Sequence, residues 1–226
     1  MLKYKNIFTK RNLSHLMRPH DSRRYKINIR KDRDSLLKEA LDIAFSSSTD
    51  FSSDVFSSTV NGKNCYSIKN YSKVLIIRAI TEYIHNIFAI KPPSRDKIVR
   101  GVIETLCDST PMYIIKKDIK SFYENIEIAS LKNLIFKQQL LPYHTRILLK
   151  TFFSQFCSDS NGIPRGLGLS AALSEVFLLG FDKQVMRIKG VYRYFRYVDD
   201  VLIFCSKQSS LATIDSELNK HLPPGL

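Results

Sequence analysis

The sequence predicts an α+β fold, a mostly helical N-terminal part followed by a β–α–α–loop–α–β–β–α run with an antiparallel sheet. Three observations carry this. Helical apolar spacing dominates the first half. Strand-like runs of β-branched and aromatic residues, MYIIKKDI, VYRYFRY and VLIFCSK, occur only after residue 111. The last two are joined by nothing more than Val198-Asp199-Asp200, a hairpin connection. The chain therefore divides into residues 1–110, basic and helical, and residues 111–226, which carry the sheet.

Residues 1–34 are basic and polar, densest in RPHDSRRYKINIRKDR. SLLKEALDIAF, 35–45, is an amphipathic helix with Ser35 placed to cap it. The Ser-rich stretch 46–64 ends in Asn-Gly and reads as an exposed loop, or as a loop and hairpin turn. Residues 71–89 form a long helix, stopped by Pro92-Pro93. SRDKIVRGVIETLC, 94–107, restarts a helix from Ser94, with Ile98, Val102, Ile103 and Leu106 on one face. MYIIKKDI, 112–119, is a strand, and 127–140 and 143–156 are helices parted by Pro142. SNGIPRGLG, 160–168, is a Gly/Pro loop and 170–188 a helix. The hairpin strands come next, then a helix over 209–221 with Leu211, Ile214, Leu218 and His221 on one face.

The chain has 226 residues, 44% of them hydrophobic, ample for a packed core. No apolar run approaches the roughly 20 residues that span a bilayer, and the N-terminus lacks a signal-peptide core. That points to a cytoplasmic protein. Cys65, Cys107, Cys157 and Cys205 are singly spaced, without a zinc pattern, and the apolar neighbours of the last three suit free core thiols. The net charge of +14 favours a polyanionic partner, nucleic acid or a membrane surface. Residues 1–100 hold 20 basic against 9 acidic side chains, the rest 15 against 12. A nucleic-acid grip beside a metal site would be divided in this way; a solvated basic surface is the plain alternative.

Asp199 and Asp200 sit side by side in an otherwise apolar hairpin, YFRYVDDVLIF. They read either as a polar turn or as a divalent-metal site, in which Mg²⁺ or Mn²⁺ supplies the countercharge. A metal site needs a carboxylate from a neighbouring strand, and Asp118, ending MYIIKKDI, is the candidate. Arg193 and Arg196 flank the pair and are partial countercharges, contacts to a nucleic-acid backbone, or equally strand-surface charges.

These stretches together resemble the reverse transcriptase family. DIKSFYENI is similar to its first catalytic motif, GIPRGLGLSAALSE to its Gly/Pro loop entering a helix, and YVDD to its Tyr-x-Asp-Asp motif, in the right order. SRDKIVRGVIETL resembles a fingers segment, so the likeness covers roughly residues 90–226. The resemblance implies the fingers and palm of a right-hand polymerase. Fingers and basic region would take 1–110 and the palm 111–226, cut before the thumb because the chain stops at HLPPGL.

It also implies roles. Asp118 and Asp199, with the Ile119 carbonyl, would hold Mg²⁺, and Asp200 would assist. Tyr123 would pack under the incoming sugar and exclude a 2′-OH; its alternative is a core aromatic. Tyr197 would lie against the primer terminus, or serve as a strand aromatic. Gly166 would let backbone approach the nucleotide, and Arg165, where many relatives have Gln, would add charge against a triphosphate or the template phosphate. Arg95, Lys97 and Arg100 are triphosphate or template contacts, or equally solvated helix charges.

The implied activity is an RNA-directed DNA polymerase, adding dNTPs to a DNA primer on an RNA template by two-metal nucleotidyl transfer. The form of the motifs is closest to bacterial defence-associated and abortive-infection-like enzymes. That implies an antiviral role in the bacterial cytoplasm, with a structured non-coding RNA or a second reverse transcriptase as further partners, and no membrane. Template-independent or protein-primed synthesis, and a truncated non-catalytic nucleic-acid-binding subunit, are the two rival readings.

Overall fold

Chain entry is organised by capping side chains. The computed structural model describes residues 6–46, 48–60, 62–91, 94–138, 141–157 and 162–226. Helix α1 (Lys10–His15) is capped by Thr9, whose hydroxyl accepts from the Asn12 N–H. Helix α2 (Asp21–Tyr25) is short, and α3 (Ile29–Phe45) is long. Helix α3 begins well before the predicted start at residue 35. Asn28 is the cap, accepting from the Lys31 N–H, while its own N–H donates to Asp32 in the first turn. Ser35 lies inside the helix and donates to the Asp32 carbonyl. A reciprocal cap upstream outcompetes a lone serine.

One device ties this N-terminal part to the rest. Asp21 is fully buried and paired bidentately with Arg78, at 2.5 and 2.7 Å. Its carboxylate also accepts from the Tyr71 hydroxyl and the Arg18 N–H, both at 2.9 Å. Burial alone would raise its pKa, but these four donors outweigh that and lower it to about 2.

The Ser-rich stretch resolves into a 3₁₀ turn (Ser52–Asp54) and a hairpin, β1 (Val55–Val60) and β2 (Lys63–Ile68), with Gly62 at φ +74° in the turn. Of the two open readings, the hairpin is the observed one; Asn61 of its turn lies outside the described residues. Helix α4 (Tyr71–Ile87) follows, capped by Asn70, then α5 (Arg95–Leu106), capped by Ser94 as predicted. The predicted breaker Pro92-Pro93 lies outside the described residues.

Strand β3 (Met112–Asp118) leads into α6 (Phe122–Asn125), α7 (Ile128–Phe136) and α8 (Tyr143–Phe156). Helix α9 (Gly168–Val185) is apolar nearly all round and buried along its length, as such a helix must be. Strands β4 (Val191–Tyr197) and β5 (Asp200–Ser206) and helix α10 (Leu211–His221) complete the fold. The order β3-β5-β4 is antiparallel throughout. The α+β class is therefore present, and the predicted elements from residue 112 onward appear in order, with α6 added after β3. Helices α1, α2 and α6 were not foreseen.

The core is continuous from α3 and α4 through α8 and α9 to the sheet, around Leu75, Ile80, Phe152, Leu173 and Ile203. Helix α5 stands partly apart. Gly101 lies against Phe195 of β4, where an added Cβ would come within 2.7 Å of the ring. On its predicted apolar face Ile98 and Val102 are half-buried, while Ile103 and Leu106 are more than half exposed. Cys107, just after it, is exposed rather than a core thiol; Cys157 and Cys205 are buried, and burial pushes the Cys157 thiol up to about 11. Leu211 and His221 also stay outside the core, which α10 joins through Ile214 and Leu218. Among the described residues no helix is long and apolar enough to cross a membrane.

Candidate active site at the end of the sheet

The register of the sheet brings the three acids to one end. Asp118 is directly opposite Asp200 across β3 and β5, and Tyr197 is opposite Asp200 on the other side. Directly paired residues share a face with Cβ atoms about 5 Å apart, and like charges there repel. Asp199 lies in the turn, where its carbonyl accepts from the Ile119 N–H at 3.1 Å. That bond fixes the end of β3 to the turn. Among the described residues none of the three carboxylates makes a side-chain hydrogen bond or ion pair. Nor do three His, Cys, Asp or Glu side chains converge there as a ready-made metal cluster.

The turn itself is strained. Val198 has φ +58°, a left-handed conformation that costs a β-branched residue about 1–2 kcal/mol. Arg196 braces it. This guanidinium is 7% exposed, donates to the Val198 carbonyl at 3.0 Å, and is paired with both Glu175 and Asp182 of α9 at 2.7 Å. Burial works to lower its pKa, and the two carboxylates overcome that and raise it. Asp182 also accepts from the Tyr194 hydroxyl. Arg196 is thus a buried structural cation. It is spoken for by α9, leaving the acids at the turn without its charge.

On the other side, the Gly/Pro loop is threaded between α6 and the β1–β2 hairpin. The Ile163 N–H donates to the Tyr123 carbonyl at 2.8 Å, and the Tyr66 N–H to the Arg165 carbonyl at 2.7 Å. Gly166, at φ +91°, has no room for a side chain, since a Cβ would lie 2.5 Å from the Tyr66 carbonyl oxygen. Tyr123 is half-buried beside Phe122, and burial raises its pKa, with Ser174 of α9 working the other way. Beyond burial for Tyr123 and the Glu124 pairing for Arg165, the Asp199 charge also works to raise the pKa of each. Arg165 is bonded bidentately to Glu124. Glu124, Glu175, Asp182 and the bracing role of Arg196 were not anticipated. Their partners are far away in sequence or, for Glu124, set by a loop path that no pattern specifies.

The remaining predicted residues fall elsewhere. Lys97 and Arg100 line a cleft of about 830 Å³ together with Tyr197, Val198, Glu175 and Asp182. Arg95 lies in an adjoining shallow recess with Val99 and Ile103. Neither space is lined by Asp118, Asp199, Asp200, Tyr123 or Arg165. Tyr197 lines the cleft with Lys97 and Arg100 and is paired with Asp200 across β4 and β5. A second cleft, about 600 Å³, opens behind Gly166–Gly168 and is lined by His15, Arg18, Arg24, Arg78 and His85 with one acid, Glu82.

No curated protein matches this chain. A family model described as "Reverse transcriptase (RNA-dependent DNA polymerase)" matches residues 65–223. That span runs from the β1–β2 hairpin to the end of α10 and takes in Asp118, the Gly/Pro loop and the Val198-Asp199-Asp200 turn. On a match covering well over half of its length, the chain belongs to the reverse transcriptase family.

Proposed function

We propose that this chain is a template-directed DNA polymerase whose reaction centre is the sheet end formed by Asp118, Asp199 and Asp200. The observation that carries the reading is the register: two strands set Asp118 against Asp200, with Asp199 in the adjoining turn, and among the described residues none of the three is in an ion pair. A like-charged cross-strand pair is unfavourable by itself and becomes favourable with a hard divalent cation, for which carboxylate oxygens are the donors of choice. Asp118 and Asp199 would hold Mg²⁺ with the Ile119 carbonyl, and Asp200 would assist. When bound, the cation supplies charge stabilisation for displacement at the α-phosphate of a dNTP.

The protein's own groups have separable tasks. The Ile119–Asp199 hydrogen bond and the Arg196–Val198 brace hold the turn in place before substrate arrives. Tyr123 borders the sugar position and disfavours a 2′-OH. Gly166 brings backbone close to the nucleotide, Tyr197 meets the primer end, and Arg95, Lys97 and Arg100 take nucleic-acid phosphates on the α5 side. The cleft beside Gly166–Gly168 adds Arg18 and Arg24 as further basic groups for a nucleic-acid backbone. In this reading residues 1–110 serve as basic region and fingers and 111–226 as palm. The form of DIKSFYENI and IPRGLGLSAALSE supports an enzyme of bacterial antiviral defence.

Primer extension tests the reading. Asp199→Asn is expected to lower Mg²⁺-dependent dNTP incorporation by about 10³-fold or more while the chain stays folded. Incorporation by this variant at the wild-type rate would sink it. Sequencing the products made with and without added RNA separates template copying from untemplated synthesis.

A further inference from the structure

Arg165 occupies the loop position next to the proposed nucleotide site, yet its guanidinium is turned toward protein. Its Nε and Nη2 donate to the two carboxylate oxygens of Glu124 at 2.6 and 2.9 Å. The same guanidinium stands over the Tyr123 ring, 4.8 Å from its centroid. A planar fork that is bidentate at one edge and stacked on its face has little freedom left, and lysine or glutamine cannot reproduce the arrangement. The Arg165 side chain is 17% exposed and Glu124 45%, so the pair closes the loop at its solvent side.

The backbone around it is equally constrained. Gly162, at φ +106°, lies so close to α6 that a Cβ would sit 2.5 Å from the Tyr123 carbonyl oxygen. The Arg165 carbonyl is held by Tyr66 of β2. Tyr123 thus has Arg165 on its face and Phe122 beside it. Of these, only the Arg165–Glu124 pair joins the ring's own helix to the loop through side chains.

We propose that the Arg165–Glu124 pair is a positioning clamp that fixes the Tyr123 ring and so sets how strongly the site discriminates a ribonucleotide from a deoxynucleotide. This rests on the nucleotide-site reading above, and makes Arg165 a support for the sugar-facing residue rather than a ligand of the triphosphate. With the clamp opened, the ring gains freedom, the space beneath the sugar widens, and a 2′-OH is tolerated. A triphosphate ligand would behave otherwise. Its loss would weaken both nucleotide types equally, and loss of Glu124 would leave the arginine free and strengthen them.

The test is a ratio measured two ways on Arg165→Gln, Glu124→Gln and the exchanged pair Glu124→Arg/Arg165→Glu. One is equilibrium binding of dNTP and rNTP with Ca²⁺, which needs no turnover. The other is kcat/KM for single-nucleotide incorporation of each with Mg²⁺. Both single variants are expected to shift the dNTP:rNTP preference toward ribonucleotides by about 10-fold, the low end of what one steric contact contributes, and the exchanged pair to recover part of it. A preference that stays at the wild-type value in both single variants overturns the clamp while leaving the polymerase reading intact. So does equal weakening of both nucleotides by Arg165→Gln. A wild-type chain that binds neither nucleotide overturns the site reading and the clamp together.

Discussion

Two groups of acids lie on either side of one hairpin turn, and the protein treats them in opposite ways. Glu175 and Asp182 on α9 share a buried arginine, Arg196, that also braces Val198. Asp118, Asp199 and Asp200, at the end of β3 and β5 and in the turn, form no ion pair among the described residues. The first group is structural and carries its countercharge in the fold. The second is left electrostatically incomplete, which is what a site for an external cation requires. The Asp21–Arg78–Tyr71 cluster belongs with the first group: it is buried, paired and fully hydrogen-bonded. An acid's surroundings, more than its position in a motif, show which carboxylates the fold itself has neutralised.

The comparison breaks most visibly at Arg196. Arg196→Met strands two carboxylates beside α9 and frees the Val198 carbonyl. A loss of about 3–5 kcal/mol is expected in urea unfolding, and incorporation should fall with it because the turn is no longer braced. A variant of wild-type stability would mean that α9 holds its acids without help.

At Asp21 the effect is smaller and depends on pH. Its pKa is lowered in the folded protein, so its contribution is complete above the ordinary carboxylate range and is lost as pH falls toward about 2. Between about pH 5 and pH 2 the wild type should lose about 2 kcal/mol more than Asp21→Asn, followed by chemical denaturation at each pH. Parallel curves would show that the cluster does not act through ionisation.

The sequence made one side of this comparison legible. Asp199 and Asp200 stand out in an apolar hairpin, and Asp118 ends a strand, so their patterns announce them. Strands β3, β4 and β5 and helix α9 are equally plain, because period-2 runs and a long apolar helix survive any tertiary context. The compensated side was not legible. The sequence leaves Arg196 open between a countercharge to the aspartates, a nucleic-acid contact and a strand-surface charge, since its partners lie 14 and 21 residues away on a helix whose rotation no pattern gives. Helix α2 is a single turn organised by Asp21, whose partner Arg78 is 57 residues on. Glu124 was in view beside Tyr123, but only the path of the 162–166 loop reveals its arginine.

The central claim, that Asp118, Asp199 and Asp200 await a divalent cation, is tested most directly by thermal unfolding as a function of Mg²⁺ or Mn²⁺ for the wild type and Asp118→Asn. Without the cation the variant is expected to be slightly more stable, by about 0.5 kcal/mol, because a like-charged cross-strand pair has been relieved. With the cation at about 100 times its dissociation constant, the wild type should gain about 2.7 kcal/mol, and the variant far less. A wild-type midpoint indifferent to both cations, or an equal rise in the two proteins, would contradict the account.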